Sequence, residues 1–394
     1  MIEMRTTWRL VPAIVLAAFL GVTGCAGKDN TAGEGQAQDP YLGREVVSVK
    51  IIQEQGSRAV WSADGDRIVF DRQNADGYFD LYIMKPGEAY VSSITEGHPG
   101  INQLHNGNPV WHPAGDLIIF ESEEMSHYGV VNKWPSNPGI GVFCNLWATD
   151  EEGSRFWKLT NIPIKQEKND DIPIMGVLNP RFSHDGSRLM WTERYGEGGK
   201  WGKWRIKVAD FREGTEGPRL ENETVLFQPG PGMGDYVTAM GFSPDDRTVL
   251  LAGNLDGQDE FGMDHYLYDL ETAQLTNLQN SPLVWEEGAS WSPDGTSIVY
   301  MTNLGSTLDF SDPNWYWQPH TGEYWIMNSD GSGKRRLTYF NDPAYPEYAG
   351  MPAITAVCSF NLDGTKLVGT LGLDVGTENK ADFKLKLVVI ELRE

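Results

Sequence analysis

The stretch Gly288-Ala-Ser-Trp-Ser-Pro-Asp-Gly-Thr-Ser-Ile-Val-Tyr300 decides the fold. Ala289 and Trp291 fall on one side of an extended segment, and Ile298 and Tyr300 alternate in the same way on the return. Ser292-Pro-Asp-Gly295 makes the reversal, and each of its residues has a physical task. Pro293 presets φ at about −65°, the Asp294 carboxylate bonds forward to backbone N–H groups, and Gly295 accepts a positive φ. One such hairpin is marginal in water.

The chain carries the unit six times. The other copies are Ala59-Val-Trp61-Ser-Ala-Asp-Gly65, Pro109-Val-Trp111-His-Pro-Ala-Gly115, Pro180-Arg-Phe182-Ser-His-Asp-Gly186, Met240-Gly-Phe242-Ser-Pro-Asp-Asp246 and Cys358-Ser-Phe360-Asn-Leu-Asp-Gly364. Behind each hairpin come further short apolar segments, as in Asp80-Leu-Tyr-Ile-Met84 and Ser93-Ile-Thr95 after the first. Repeats of about 50–70 residues with four short strands each are propeller blades. The sixth copy lacks a fourth strand, whereas Glu45–Ile52 precedes the first copy without a blade of its own. Pairing Glu45–Ile52 with Lys384–Ile390 closes the ring and removes an exposed edge. The reading is all-β: a six-bladed β-propeller of four-stranded antiparallel blades over residues 45–394, closed by its N-terminal strand.

Composition agrees. Forty-four Gly and 22 Pro, with 14 Trp, 15 Tyr and 15 Phe among 394 residues, suit tight turns between short aromatic strands and suit long helices poorly. A formal net charge of −23 excludes nucleic-acid binding, which needs Lys and Arg to neutralise phosphates.

Residues 1–24 read as an address. Arg5 and Arg9 flank an apolar run from Leu10 to Leu20 that is too short to span a bilayer, and it ends Val22-Thr-Gly-Cys25. This resembles a bacterial lipoprotein signal, which implies palmitate-type acylation of Cys25, export, and anchoring to the envelope by the N-terminal lipid. Residues 25–44 have no apolar period and read as a flexible tether.

Trp-Ser-Pro-Asp-Gly-x-x-Ile-x-Tyr, followed by an aliphatic-Tyr-x-Met strand and a Leu-Thr ending, is similar to the TolB-type (PD40, WD40-like) propeller repeat. The resemblance covers Glu45 to Glu394 and implies a propeller in a cell-envelope setting. TolB carries an additional α/β domain, and related peptidases carry a hydrolase domain; neither is expected here. Fold alone assigns no reaction.

Chemistry is sought in the loops entering each inner strand and joining second to third strands, which open on one face, opposite the Asp-Gly turns. Four insertions are longer than a blade needs: Glu121–Cys144, Asn161–Leu178, Gly305–Glu323 and Tyr339–Val357. Trp315 and Trp317 share a side if extended, and Trp134, Tyr128, Tyr345 and Tyr348 can join them. Such aromatics either form a platform for a sugar ring or a partner's apolar groups, or pack on one another as a satellite core. His98, His105, His127, His265 and His320 fall in or beside the same loops, with Asn108 nearby, while His112 and His184 sit in turns of the other face.

Oligogalacturonate lyases with related propellers hold a metal through histidines, so the resemblance implies His105, His127 or His320 as candidate ligands for a metal-assisted polysaccharide lyase or hydrolase. No local metal motif supports this. The acidic loops Asp76–Asp80 and Asp256–Glu260 lack EF-hand spacing, and turn chemistry accounts for them. No hydrolase elbow, dinucleotide fingerprint or phosphate loop occurs, so no cofactor is expected. Cys144 and Cys358 belong to blades two and six, and no disulfide is expected between them. The expected function is therefore non-catalytic: a monomeric, lipid-anchored propeller binding an envelope protein, peptide or glycan on its loop-rich face.

Overall fold

The computed structural model describes residues 41–129, 136–259, 261–312, 318–376 and 382–393. Cys25 and the rest of the signal region, together with Trp134, Trp315 and Trp317, lie outside the described residues. Within them the regular structure is 24 β-strands and no helix. Blade 1 is β2 (Ser57–Trp61), β3 (Ile68–Gln73), β4 (Phe79–Met84) and β5 (Val91–Ser93). Blade 2 is β6 (Asn106–Trp111), β7 (Leu117–Glu123), β8 (Cys144–Asp150) and β9 (Phe156–Lys158). Blade 3 comprises β10 (Gly176–Phe182), β11 (Arg188–Gly196), β12 (Lys203–Arg212) and β13 (Arg219–Phe227). In blade 4 the strands are β14 (Val237–Phe242), β15 (Thr248–Gly253), β16 (Asp264–Asp269) and β17 (Leu275–Asn277). Blade 5 holds β18 (Glu286–Trp291), β19 (Ser297–Thr302), β20 (Glu323–Asn328) and β21 (Arg335–Arg336).

Blade 6 contains the closure. Its order is β1 (Val46–Gln53), β24 (Phe383–Leu392), β23 (Lys366–Asp374), β22 (Ala353–Phe360). β1 runs antiparallel to β24, from Val46 opposite Leu392 to Gln53 opposite Leu387, as the unpaired strand in the sequence requires.

The core is six seams. Each main apolar cluster joins two neighbouring blades; Trp61, Trp111, Phe182 and Phe242 are buried in them, and Trp291 and Phe360 pack against them half-buried. Trp61 packs with Val368 and Leu387 of blade 6, and Phe182 with Leu117 and Ile119 of blade 2. Each large apolar side chain so buried contributes about 1.5–3 kcal/mol. A seventh cluster (Met263, Trp285, Met301, Ile354, Phe383) seals the loops of blades 4 to 6.

The turns are built as the sequence requires. In the reference copy, Gly295 has φ 72°, Thr296 N–H donates to Asp294 Oδ1 at 3.0 Å, and Ser292 Oγ donates to the same oxygen at 2.6 Å. Ser183–Asp185, Ser243–Asp245 and Asn361–Asp363 repeat the bond at 2.7, 2.7 and 2.8 Å, and Ser62–Asp64 forms it as well. These bonds hold the turn carboxyls below their usual range, with Asp185 near 2 through Ser183 and Ser187. All four insertions are shorter than expected: Glu121–Glu123 belongs to β7 and Cys144 to β8, Gly176–Leu178 to β10, Glu323 to β20 and Ala353–Val357 to β22. These ends pair as strand and are buried, except for the half-buried Ala356 and Val357.

Candidate functional site

Every inner strand breaks register once with its neighbour, at 57/60, 107/110, 178/181, 239/241, 287/290 and 355/358. The bulge turns one residue out of the ladder. In four blades that residue is left-handed: Arg58 (φ 47°), Asn108 (53°), Asn179 (52°) and Gly288 (66°). Gly and Asn tolerate this conformation, whereas Arg58 is fixed in it by a two-pronged bond to Asp71 (Nε–Oδ2 2.5 Å, Nη2–Oδ1 2.9 Å).

A polar chain then runs from bulge to bulge. Thr370 Oγ1 accepts the Arg58 N–H at 3.1 Å, and Asp71 Oδ2 accepts that of Asn108 at 2.8 Å. Next, Glu121 Oε1 accepts from Asn179 N at 3.0 Å and Thr192 Oγ1 from Ala239 N at 2.8 Å. Each acceptor lies on the second strand of one blade and each donor on the inner strand of the next. Side chains cross-link the chain further, with Asn108 Nδ2 donating to Glu121 Oε1 at 2.6 Å and Asn179 Nδ2 to Thr238 Oγ1 at 2.8 Å. In blades 4 and 5 the register-equivalent residues are Ala252 and Met301, and the polar chain stops there.

A cavity of about 80 Å³ lies at the level of these bulges, between Arg58 and Asn179 on the polar side and Trp285, Glu287, Met301 and Val357 on the other. Gly139, from the β7–β8 loop, closes over it. The same loop presses Pro138 into the space beside Gly107, where a Cβ would lie 2.4 Å from Pro138 Cγ. Two carboxyls dominate the electrostatics. Burial pushes Glu121, 1% exposed, up to about 8, and its Oε2 has no hydrogen-bond partner among the described residues. Burial also raises Glu287 to about 7, with only the Trp285 indole N–H, at 3.2 Å, in opposition. Arg181 is lowered to about 10 by burial and donates to the carbonyls of Met240 and Pro180 rather than to an acid.

Beside the channel, Glu123 gathers a second knot. His127 Nε2 lies 2.5 Å and Ser136 Oγ 2.6 Å from its Oε1, and His105 N–H donates to its Oε2 at 3.0 Å. Burial raises the Glu123 carboxyl, but the His127 bond and its neighbours hold it below the ordinary value. His127 stacks on Phe143 at 4.4 Å, and its Nδ1 faces the Tyr128 carbonyl at 3.0 Å, so both ring nitrogens face acceptors.

The remaining sequence candidates separate. His98 Nδ1 lies 3.1 Å from the Gly153 carbonyl at the rim. His105 accepts the Phe79 N–H at its Nδ1, 3.2 Å away, and packs edge-on to Tyr78. His320 is buried against Phe383 on the far side of the ring, so it does not join His105 and His127. Burial also depresses its basicity. Tyr345 stacks on Tyr339 at 3.7 Å beneath Arg44, as packed aromatics do, while Tyr348 is 43% exposed. Asn108 is the candidate that joins the polar chain of the bulges, bonded to Asp71, Glu121 and Asn179. Cys144 and Cys358 are free thiols. Among the described residues, the acid–histidine group within ligation reach of itself is His112, Asp116 and Glu213, on the opposite face.

Sequence reasoning missed Glu121, Glu287 and Asn179. The repeated Asn-Pro at 108–109 and 179–180 was the available signal, since Asn favours the left-handed conformation. It also missed a row of rings on the loop face, Trp201–Phe261 (5.8 Å), Phe261–Phe310 (4.4 Å) and Phe310–Trp285 (6.2 Å), which leads to the channel mouth.

The fold is a six-bladed β-propeller, and its repeats are similar to those of TolB proteins. Over 143 residues the chain is 24% identical to the Tol-Pal system protein TolB of Anaeromyxobacter dehalogenans (strain 2CP-C). That stretch is 36% of this chain and spans a quarter (25%) of the relative. The putative TolB from Agrobacterium tumefaciens superposes with a TM-score of 0.51 at 12% identity, covering 88% of this chain and 97% of that one. An oligogalacturonate lyase in complex with manganese gives a TM-score of 0.49 at 13% identity, covering 88% and 91%. No family model matches the chain.

Proposed function

We propose that this chain is a lipid-anchored propeller of the bacterial cell envelope that holds a protein partner on its loop face without chemistry, a basic side chain of the partner entering the channel. One observation carries the reading: Glu287 stands on the cavity wall with only an indole N–H for company, and Glu121 lies behind Asn179 with an unused oxygen. Burial has raised both carboxyls, and a cation brought into the cavity would return them to the ionised form. Trp201, Phe261, Phe310 and Trp285 offer the apolar approach, and the TolB relative supports the envelope setting. Acylation at Cys25 is part of the proposal and is motivated by the Val-Thr-Gly-Cys junction.

Capture from solubilised envelope tests it, with the full chain and its Glu287→Lys variant as baits. The reading requires a protein that the wild type retains and the variant loses, with the variant still melting cooperatively. Identical captures by both baits would overturn it. For the anchor, Cys25→Ser should move the protein from the membrane to the soluble fraction; wild-type Cys25 unmodified by mass spectrometry would remove that part.

A further inference from the structure

The second hairpin departs from the other five on the turn face. Where Ser62, Ser183, Ser243, Ser292 and Asn361 each bond an Asp two residues on, this copy has His112, with Ala114 at the Asp position and the acid moved to Asp116. The backbone turn survives, because Gly115 N–H still reaches the His112 carbonyl at 2.8 Å and His112 N–H that of Leu117 at 2.8 Å. The exchange therefore serves something other than the turn.

The ring is fixed on three sides. His112 is 8% exposed, edge-on to Phe182 at 4.8 Å and tilted over Phe211 at 5.2 Å, both from blade 3. Its Nε2 lies 3.3 Å from the Gly186 carbonyl, an approach that needs glycine there, since a Cβ would fall 2.7 Å from that nitrogen. A backbone carbonyl accepting from Nε2 leaves the lone pair on Nδ1, the arrangement that orients metal-bound histidines. Nδ1 lies 3.5 Å from Asp116 Oδ1, and the donor atoms of His112, Asp116 and Glu213 all lie within 4.8 Å of one another. Neither carboxylate has a Lys or Arg ion-pair partner among the described residues. One imidazole lone pair and two carboxylates thus converge with no resident cation to offset them.

We propose that His112, Asp116 and Glu213 form a binding site for a divalent transition cation of the zinc class, clamping blade 2 to the β12–β13 hairpin of blade 3. An imidazole with two carboxylates suits zinc better than calcium, which takes oxygen ligands alone. Ligation at about 2.0–2.2 Å requires the exposed Asp116 and Glu213 side chains to draw in, and the long 3.2 Å Ala114 N–H contact on Nδ1 to yield. Three protein ligands leave a position for water.

Chelator-stripped full-length protein is titrated with Zn²⁺ by calorimetry and by metal analysis after dialysis. His112→Ser installs the residue that four other blades carry, and Glu213→Gln alters only an exposed hairpin. The wild type should hold one more equivalent of Zn²⁺ than His112→Ser and should melt higher with the metal, a shift absent from that variant. Glu213→Gln should weaken the same site at least tenfold. Equal stoichiometry and affinity in wild type and both variants would overturn the site. Displacement of the metal by an equal concentration of Ca²⁺ would also overturn it.

Discussion

The turn at Ser292–Asp294 and the bulge at Arg58–Asp71 use the same device, a side-chain acceptor holding backbone N–H groups, in opposite surroundings. On the turn face the acceptor is exposed, and its bonds hold the Asp294 carboxyl low. In the channel Asp71 is 0% exposed and serves Ser57, Arg58 and Asn108 together, while burial drives its neighbour Glu121 up to about 8. Burial, rather than the number of bonds, decides what each arrangement contributes and what breaking it costs.

The largest effect should come from cutting the ring that holds both regions. Deleting residues 45–52 bares the β24 edge and leaves blade 6 one strand short, so loss of the cooperative melt, or aggregation, is expected. A deletion that kept the full melting temperature would contradict the closure. Next comes Asp71→Ala, which strands the Arg58 guanidinium in the interior; urea unfolding should show a loss of about 3–5 kcal/mol. A loss under about 1 kcal/mol would mean that the channel chain is no different from the turns.

The two regions should also carry opposite pH signatures. Glu121 and Glu287 are raised to about 8 and about 7, so the folded protein holds protons that the unfolded chain releases. Their contribution is complete below the ordinary Glu range and falls away as pH rises through those values. The turn aspartates are lowered, so theirs is present above the ordinary Asp range and lost as pH falls, through about 2 for Asp185. Melting temperature should therefore decline from about pH 5 to pH 8 in the wild type and decline less steeply in the Glu121→Gln/Glu287→Gln double variant, where Glu286, also raised to about 8 by burial, keeps part of the slope. An unchanged slope would show that these carboxyls are not raised. The smallest effect is expected at Ser292→Ala, about 1 kcal/mol, additive with the same change at Ser243 because the sites share no partner.

What the sequence disclosed follows the same division. Turns repeat, so the pattern that is complete at Ser292-Pro-Asp-Gly295 could be followed through its variants in all six copies, and the orphan strand at Glu45 could be matched to the deficit at Lys384. Bulges do not advertise themselves: Ser57-Arg-Ala-Val-Trp61 reads as plain strand, and only the Asn-Pro pairs hint at a left-handed residue. By sequence Glu121 opens the Glu121–Cys144 insertion, although it pairs as strand in β7. Its burial is justified by Asn108 and Asn179, 13 and 58 residues away, and no local pattern shows such partners. His112 stood out as a histidine, but its meaning depended on Phe182, Gly186 and Glu213, which only the fold brings near.

The β1–β24 seam also sets a timetable. Ser48 meets Glu391 across 343 residues of chain, so the first strand made can be paired only after the last one is. Until then five blades can dock in order while both ends of the arc stay open. Closing the ring is thus a late, long-range step of the kind that slows folding and exposes unpaired edges along the way. For as long as the two ends stay apart, edge-to-edge pairing with another copy competes with closure.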